Sequence, residues 1–116
     1  MPSARKEIRV SNSPLEREVA ESLAGFLRAL SQANRLRILT ALADGERCVC
    51  ELAPALELEV ANLSRHLKVL HEAGLVVRDQ RGQQVFYTLT DPDLPDRLHE
   101  LLALARDTLG RKAARL

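Results

Sequence analysis

Four helical patterns, a hairpin pattern and a fifth helical pattern, in that order, predict a mainly α domain with a small β-hairpin wing. That is the winged helix-turn-helix arrangement α-α-α-α-β-β-α. Three observations carry the expectation. The chain has 116 residues, 46% of them apolar, 28% charged and only 3% aromatic, with no Trp. This is one domain with a core of Leu, Val and Ala, which suits packed helices better than a β-sandwich. Leucines recur at helical spacing in several separate segments. One alternating run follows directly on the fourth of them, with Arg81-Gly82 as a tight turn.

Residues 1–12 read as a flexible lead, residues 13–112 as the domain and residues 113–116 as a short tail. Ser13-Pro14-Leu15-Glu16 has the form of a helix start, with Ser as N-cap, Pro in the first turn and Glu as box partner. Leu15, Val19, Leu23, Phe26, Leu27 and Leu30 then form a stripe to about Ser31. A second helix fits Asn34 to Ala43, with Leu36, Leu39 and Ala43 on one stripe, Ile38 and Leu42 beside it, and Gly45 past its end. Glu46 to Cys50 reads as extended chain or helix entry. A short third helix covers Glu51 to Leu56, with Pro54 in or near its first turn. The fourth runs from Val60 to Ala73, with Val60, Leu63, Leu67 and Leu70 inward and Gly74 as its stop. The hairpin pairs Leu75–Gln80 with Gln83–Leu89, where Val85, Tyr87 and Leu89 alternate with Gln84, Phe86 and Thr88. The last helix starts near Asp91 or Asp93 and reaches Lys112, striped by Leu94, Leu98, Leu101, Leu102, Ala105 and Leu109.

Composition narrows the function classes. The longest apolar run, Leu101 to Ala105, is far below the about 20 residues of a membrane span, and no secretory h-region is evident, so a membrane partner is not expected. Two cysteines at i, i+2 do not form an extracellular disulfide framework and read as reduced thiols of a cytoplasmic protein. A Cys–His nucleophile with His66 or His71 lacks a third orienting group, and there is no Gly-rich phosphate loop, so an enzyme is not expected. Net charge is +1, from 17 Lys and Arg against 16 Asp and Glu, so the distribution of charge matters more than its sum.

On the fourth helix the inward stripe leaves Ala61, Arg65, Lys68 and Glu72 facing out, flanked by Asn62, Ser64 and His66. Small hydrogen-bonding side chains allow close approach to base edges, and Arg65 and Lys68 can take phosphates or guanine. Arg78 and Arg81 on the hairpin can reach the neighbouring backbone. These seven residues, Asn62, Ser64, Arg65, His66, Lys68, Arg78 and Arg81, are the expected contacts with double-stranded DNA. A protein-interaction module that binds no DNA is the competing reading. The stripes of the first and last helices exceed what a three-helix core needs as cover. A two-fold dimer through Leu15, Val19, Leu23, Leu98, Leu102 and Leu109 buries them and spaces two reading helices about one DNA turn apart.

Three segments in order resemble the ArsR/SmtB family. Ala29-Leu30-Ser31-Gln32-Ala33-Asn34-Arg35-Leu36-Arg37-Ile38-Leu39 resembles its opening signature. Glu46-Arg47-Cys48-Val49-Cys50-Glu51-Leu52 is similar to its thiolate sensor segment. Leu63-Ser64-Arg65-His66-Leu67-Lys68-Val69-Leu70 with Ala73-Gly74-Leu75-Val76 resembles its recognition helix and wing entry. The similarity spans about residues 15–110. It implies a homodimeric repressor that binds an inverted-repeat operator and lets go when a metal or metalloid binds. The Ser-Gln-Pro or Ser-Gln-Ala common at the head of the family's reading helix is replaced here by Glu59, Val60 and Ala61, which removes a cap and a base-reading Gln.

Cys48 and Cys50 are the expected metal ligands. Soft thiolates suit As(III) and Sb(III), then Cd(II), Pb(II) and Zn(II). No resident cofactor is expected; the ion is the inducer. On a regular helix an i, i+2 pair points about 200° apart. In extended chain such residues share a face at about 6–7 Å. Capture therefore requires the start of the third helix to be non-helical or to unwind, and distortion there is expected to unseat the fourth helix. Arsenic-responsive relatives commonly carry a third Cys where Ala53 stands here. Two thiolates plus water or a small thiol can hold pyramidal As(III), whereas a closed zinc site needs four ligands. The family's other site, on the last helix, is represented only by Asp96, His99 and Glu100. A thiol redox or persulfide sensor on the same cysteines is the alternative, opposed by the small strained ring an i, i+2 disulfide closes. Two small buried hydrophobes are the plainest reading of the pair.

Overall fold

The computed structural model describes residues 16–114. Its elements are α1 (Arg17–Leu30), α2 (Ala33–Ala41), β1 (Arg47–Cys48), α3 (Val49–Leu56), α4 (Val60–Glu72), β2 (Val76–Arg81), β3 (Gln84–Leu89) and α5 (Leu94–Ala114). The expected helices and hairpin are present, with one short strand added between α2 and α3.

Boundaries follow local chemistry. Glu16 is extended, at φ −62 and ψ 163, so the helix begins at Arg17 rather than on the Ser13-Pro14 pattern. Ser13, Pro14 and Leu15 lie outside the described residues. Gln32 caps α2 by accepting the backbone N–H of Arg35 at 3.1 Å. Gly45, at φ 127, turns the chain toward β1. α3 starts two residues earlier than its apolar pattern, because Cys48 is an extended N-cap and Glu51 closes a capping box with it. Pro54 therefore sits in the second turn, not the first. Its missing N–H leaves the Cys50 carbonyl without an intrahelical donor. Arg37 of α2 donates to the Leu56 carbonyl at 3.0 Å and so satisfies the end of α3.

The core is a seam of α2 against α4. Ile38, Leu39 and Leu42 meet Leu63, Leu67 and Leu70, all at 0–1% exposure. Each such burial stabilises by roughly 1.5–3 kcal/mol. Leu52 and Leu56 of α3, then Leu75, Val76 and Tyr87 from the sheet, extend it. Three positions depart from the expected stripes. Leu36 and Ala43 face out while Ile38 and Leu42 turn in, and Val60 is 58% exposed because it precedes the first turn of α4 that reaches the core.

The sheet is antiparallel with order β1-β3-β2. β2 and β3 pair from Val76↔Leu89 to Arg81↔Gln84, so the two-residue turn is Gly82-Gln83, one residue later than expected. Gly82, at φ 62, supplies the positive φ such a loop needs. β1 pairs Arg47 with Tyr87 and Cys48 with Phe86. Phe86, which interrupts the polar face of the alternating run, is therefore the register partner of a thiol-bearing residue.

Candidate DNA interface and thiol pair

α4 presents Ser64, Arg65 and Lys68 to solvent, while Asn62 and His66 are half-buried. Arg65 donates to the Asn62 amide oxygen at 2.7 Å, which orders both at the head of the helix. His66 points back toward α2, where a guanidinium nitrogen of Arg35 lies 3.4 Å from its Nδ1. Arg35 also donates to the carbonyls of Ala29 at 2.7 Å and Arg28 at 3.1 Å, tying the end of α1 to α4. A guanidinium only donates, so His66 Nδ1 accepts and the ring is neutral with its proton on Nε2. Burial, then Arg35 and Arg65, hold the His66 pKa below its ordinary 6.5. The unfolded chain thus takes up the proton first. Above pH about 6.5 the residue contributes nothing to pH dependence; below it, folding stability falls. Urea melts from pH 7 to 5.5 are expected to show this loss in the natural protein and a smaller one in His66→Gln.

Between α4 and the wing lies a cleft of about 300 Å³ lined by Val49, Ser64, Lys68, His71, Arg78, Val85 and Tyr87. It gathers three of the expected DNA residues, Ser64, Lys68 and Arg78. His71 joins them as a further basic side chain, one to which spacing alone gives no role. Val49, from between the two cysteines, forms part of the wall.

Arg81 stands apart from this cleft. Its guanidinium donates to both Glu46 carboxylate oxygens, at 2.8 and 2.6 Å, and to Asp79 at 2.8 Å. It also lies 4.4 Å from the centre of the Phe86 ring. Two carboxylates on one guanidinium raise its pKa further, the Glu46 hydrogen bond most. Asn62, Ser64, Arg65, His66, Lys68 and Arg78 thus share α4 or its cleft with the wing, whereas Arg81 is engaged within the protein.

The thiol pair sits where β1 becomes α3. Cys48 is extended, at φ −84 and ψ 158, and 3% exposed. Cys50 is exposed in the first turn of α3. The break in helical geometry at Cys48 brings the Cα atoms to 5.2 Å and joins the two sulfurs in a disulfide, in place of the expected reduced thiols. The Cys48 N–H donates to the Glu51 carboxylate at 3.0 Å. Among the described residues no group of three or more His, Cys, Asp and Glu is placed to hold a metal ion. His99 engages the Pro95 carbonyl of its own helix, with its Nδ1 at 2.9 Å. Once reduced, this pair would offer at most two thiolates to an ion, whose remaining ligands would come from solution.

α1 and α5 leave apolar side chains uncovered. Val19 is 49% exposed, Leu23 43%, Leu102 45% and Leu109 63%, and Leu98 packs partly against the core. Leu15 lies outside the described residues. No described helix is long and apolar enough to cross a membrane.

Comparison with known proteins places this geometry. Residues 32–77 match the family described as "Bacterial regulatory protein, arsR family". The chain is 37% identical over 91 residues to the transcriptional regulator NmtR of Mycobacterium tuberculosis, covering 78% of this chain and 76% of that protein. It is 46% identical over 94 residues to the regulator CmtR of Mycobacterium bovis, covering 78% of this chain and 80% of that one. The chain belongs to the ArsR/SmtB family of metal-responsive, DNA-binding transcriptional repressors. Other ArsR/SmtB relatives are matched over only 54% to 61% of their length. Among solved structures, the homodimeric winged helix-turn-helix DNA-binding domain of a Mycobacterium bovis protein, determined by NMR, superposes with a TM-score of 0.71. It is 26% identical and covers 89% of this chain and 95% of that one. The ArsR/SmtB winged helix-turn-helix thus assigns α3–α4 as the helix-turn-helix and β2–β3 as the wing.

Proposed function

We propose that this ArsR/SmtB protein is a homodimeric repressor that holds an inverted-repeat operator with α4 and the wing, and releases it when Cys48 and Cys50 capture a thiophilic metalloid. The convergence of the two sulfurs at the β1–α3 junction carries this reading. Arsenite or antimonite gives up two hydroxide ligands to the two thiols, forming two sulfur bonds and releasing two waters, and keeps a third ligand from solution. The same two donors are fewer than the closed zinc site requires, so As(III) and Sb(III) stand ahead of Cd(II), Pb(II) and Zn(II). Capture needs Cys48 and Cys50 both turned to one ion, and the Cys50 carbonyl left free by Pro54 makes the start of α3 easy to unwind.

The decisive experiment is a fluorescence-anisotropy titration of the reduced protein against the DNA upstream of its own reading frame, with and without arsenite, antimonite and cadmium. Operator affinity that falls with As(III) or Sb(III) supports the reading; affinity indifferent to all three ions overturns it. The DNA side is tested by Arg65→Ala and Lys68→Ala. Each is expected to weaken the operator about tenfold. Removing one phosphate-binding cation also lowers the slope of log K against log salt by about 0.9.

The joined sulfurs also favour a second reading, a redox repressor. Peroxide would oxidise the two thiols to a disulfide, itself becoming two waters. Intact mass would fall by about 2 Da, and operator release would follow peroxide without any ion.

A further inference from the structure

The strand that carries Cys48 is one of the two edge strands of the wing sheet, and the wing is fastened to it a second time by a side-chain clasp. Cys48 pairs with Phe86 of β3. Arg81, the last residue of β2, stacks on the Phe86 ring and forks onto Glu46, two residues before Cys48. The Glu46 partner is 35 residues away in sequence, so this contact belongs to the fold and not to a local turn. A fork–fork pair fixes orientation as well as distance. Exposed as it is, with Arg81 at 50% and Glu46 at 34% side-chain exposure, its worth lies in geometry more than in stability.

Charge bears on what Arg81 does. Glu46 and Asp79 together carry two negative charges against its one positive charge. In this arrangement the outer end of the wing is not a phosphate binder, and Arg78, bonded only to the neutral Gln80 at 3.3 Å, is the wing cation left for DNA. The Glu46–Arg81–Phe86 cluster instead makes a side-chain link from the thiol strand to the wing, running beside the two-residue β1 ladder.

We infer that Glu46 and Arg81 are positioning residues that couple the thiol pair to the wing: closure of Cys48 and Cys50 on an ion moves Glu46, and through Arg81 shifts the wing away from its DNA-bound position. The inference rests on the thiol-sensor reading above. It predicts that cutting the clasp from either side uncouples the sensor, while the two cuts change DNA affinity in opposite directions. Glu46→Gln removes one of the two negative charges on a guanidinium that Asp79 still holds, so the operator is bound more tightly. Arg81→Gln leaves Glu46 and Asp79 unneutralised, so the operator is bound less tightly.

The experiment compares the natural protein, Glu46→Gln and Arg81→Gln, all reduced. Operator Kd is measured by anisotropy with and without arsenite. Arsenite capture is measured by native mass spectrometry, and hydrogen exchange of residues 76–89 is followed without DNA. In the natural protein arsenite raises Kd about tenfold or more and alters exchange across the wing. In both variants arsenite is still captured, but the ratio of Kd values drops at least about threefold and the wing exchange change disappears. A purely electrostatic role moves basal Kd and leaves the ratio unchanged. If the natural protein responds and either variant keeps the full ratio, the coupling inference alone fails. If arsenite is neither captured nor active on the natural protein, the sensor reading fails and the inference falls with it.

Discussion

Leu102→Glu is expected to turn the protein into a monomer in sedimentation velocity and to weaken operator binding by more than about a hundredfold. Leu102 is 45% exposed on α5, beside Leu101 at 49%, and Val19 and Leu23 of α1 are exposed to a similar degree. Exposed apolar side chains in this number are rarely left open on a soluble monomer when they gather into a patch. A charge placed in a two-fold interface appears twice and must be desolvated twice. The drop in affinity is large because a dimer engages two half-sites while a monomer keeps the contacts of one. Leu102→Met, which keeps volume and apolarity, is expected to remain dimeric. A charged variant that stays dimeric and binds normally would place the interface elsewhere.

Cys50→Ser is expected to abolish the proposed arsenite-induced release while leaving operator affinity within about twofold, against an expected natural response in the usual allosteric range of roughly 5–150-fold. Cys50 is the cleaner site for this test because it is exposed and its replacement leaves no buried defect. Cys48 is 3% exposed, so Cys48→Ser also buries a hydroxyl and is expected to cost about 1–3 kcal/mol of stability. Both variants should lose the response, but only Cys48→Ser should show a shifted urea midpoint. Release that persists in Cys50→Ser assigns the sensor to another part of the molecule.

Much of this is legible in the chain itself, for a physical reason. Leu63, Leu67 and Leu70 recur at helical spacing because one face of α4 is buried, and Gly74 and Gly82 stand where the backbone turns left-handed. The proposed DNA contacts follow by elimination, as the face that the leucines do not use. What is not legible depends on partners distant in sequence. β1 is too short to show a period of two and exists because β3 offers an edge. Arg81 reads as a free cation until the fold brings Glu46 beside it. Arg35 and His66, one in the family signature and one on the reading helix, show nothing of their pairing in one dimension. Val60 continues the α4 stripe by spacing but falls past the edge of the core it would have filled. Thiols at i, i+2 are poorly placed for each other on a helix, and their convergence follows from the single extended residue at Cys48.

The brevity of β1 sets how readily the molecule can change its mind. A two-residue ladder is worth only about 1 kcal/mol per hydrogen bond, so detaching it leaves the leucine seam of α2 and α4 untouched. In the proposed switch, such a joint would throw quickly and reset when the ligand departs, without partial unfolding. Lengthening the strand by even one paired residue would stiffen the joint between Cys48 and the wing.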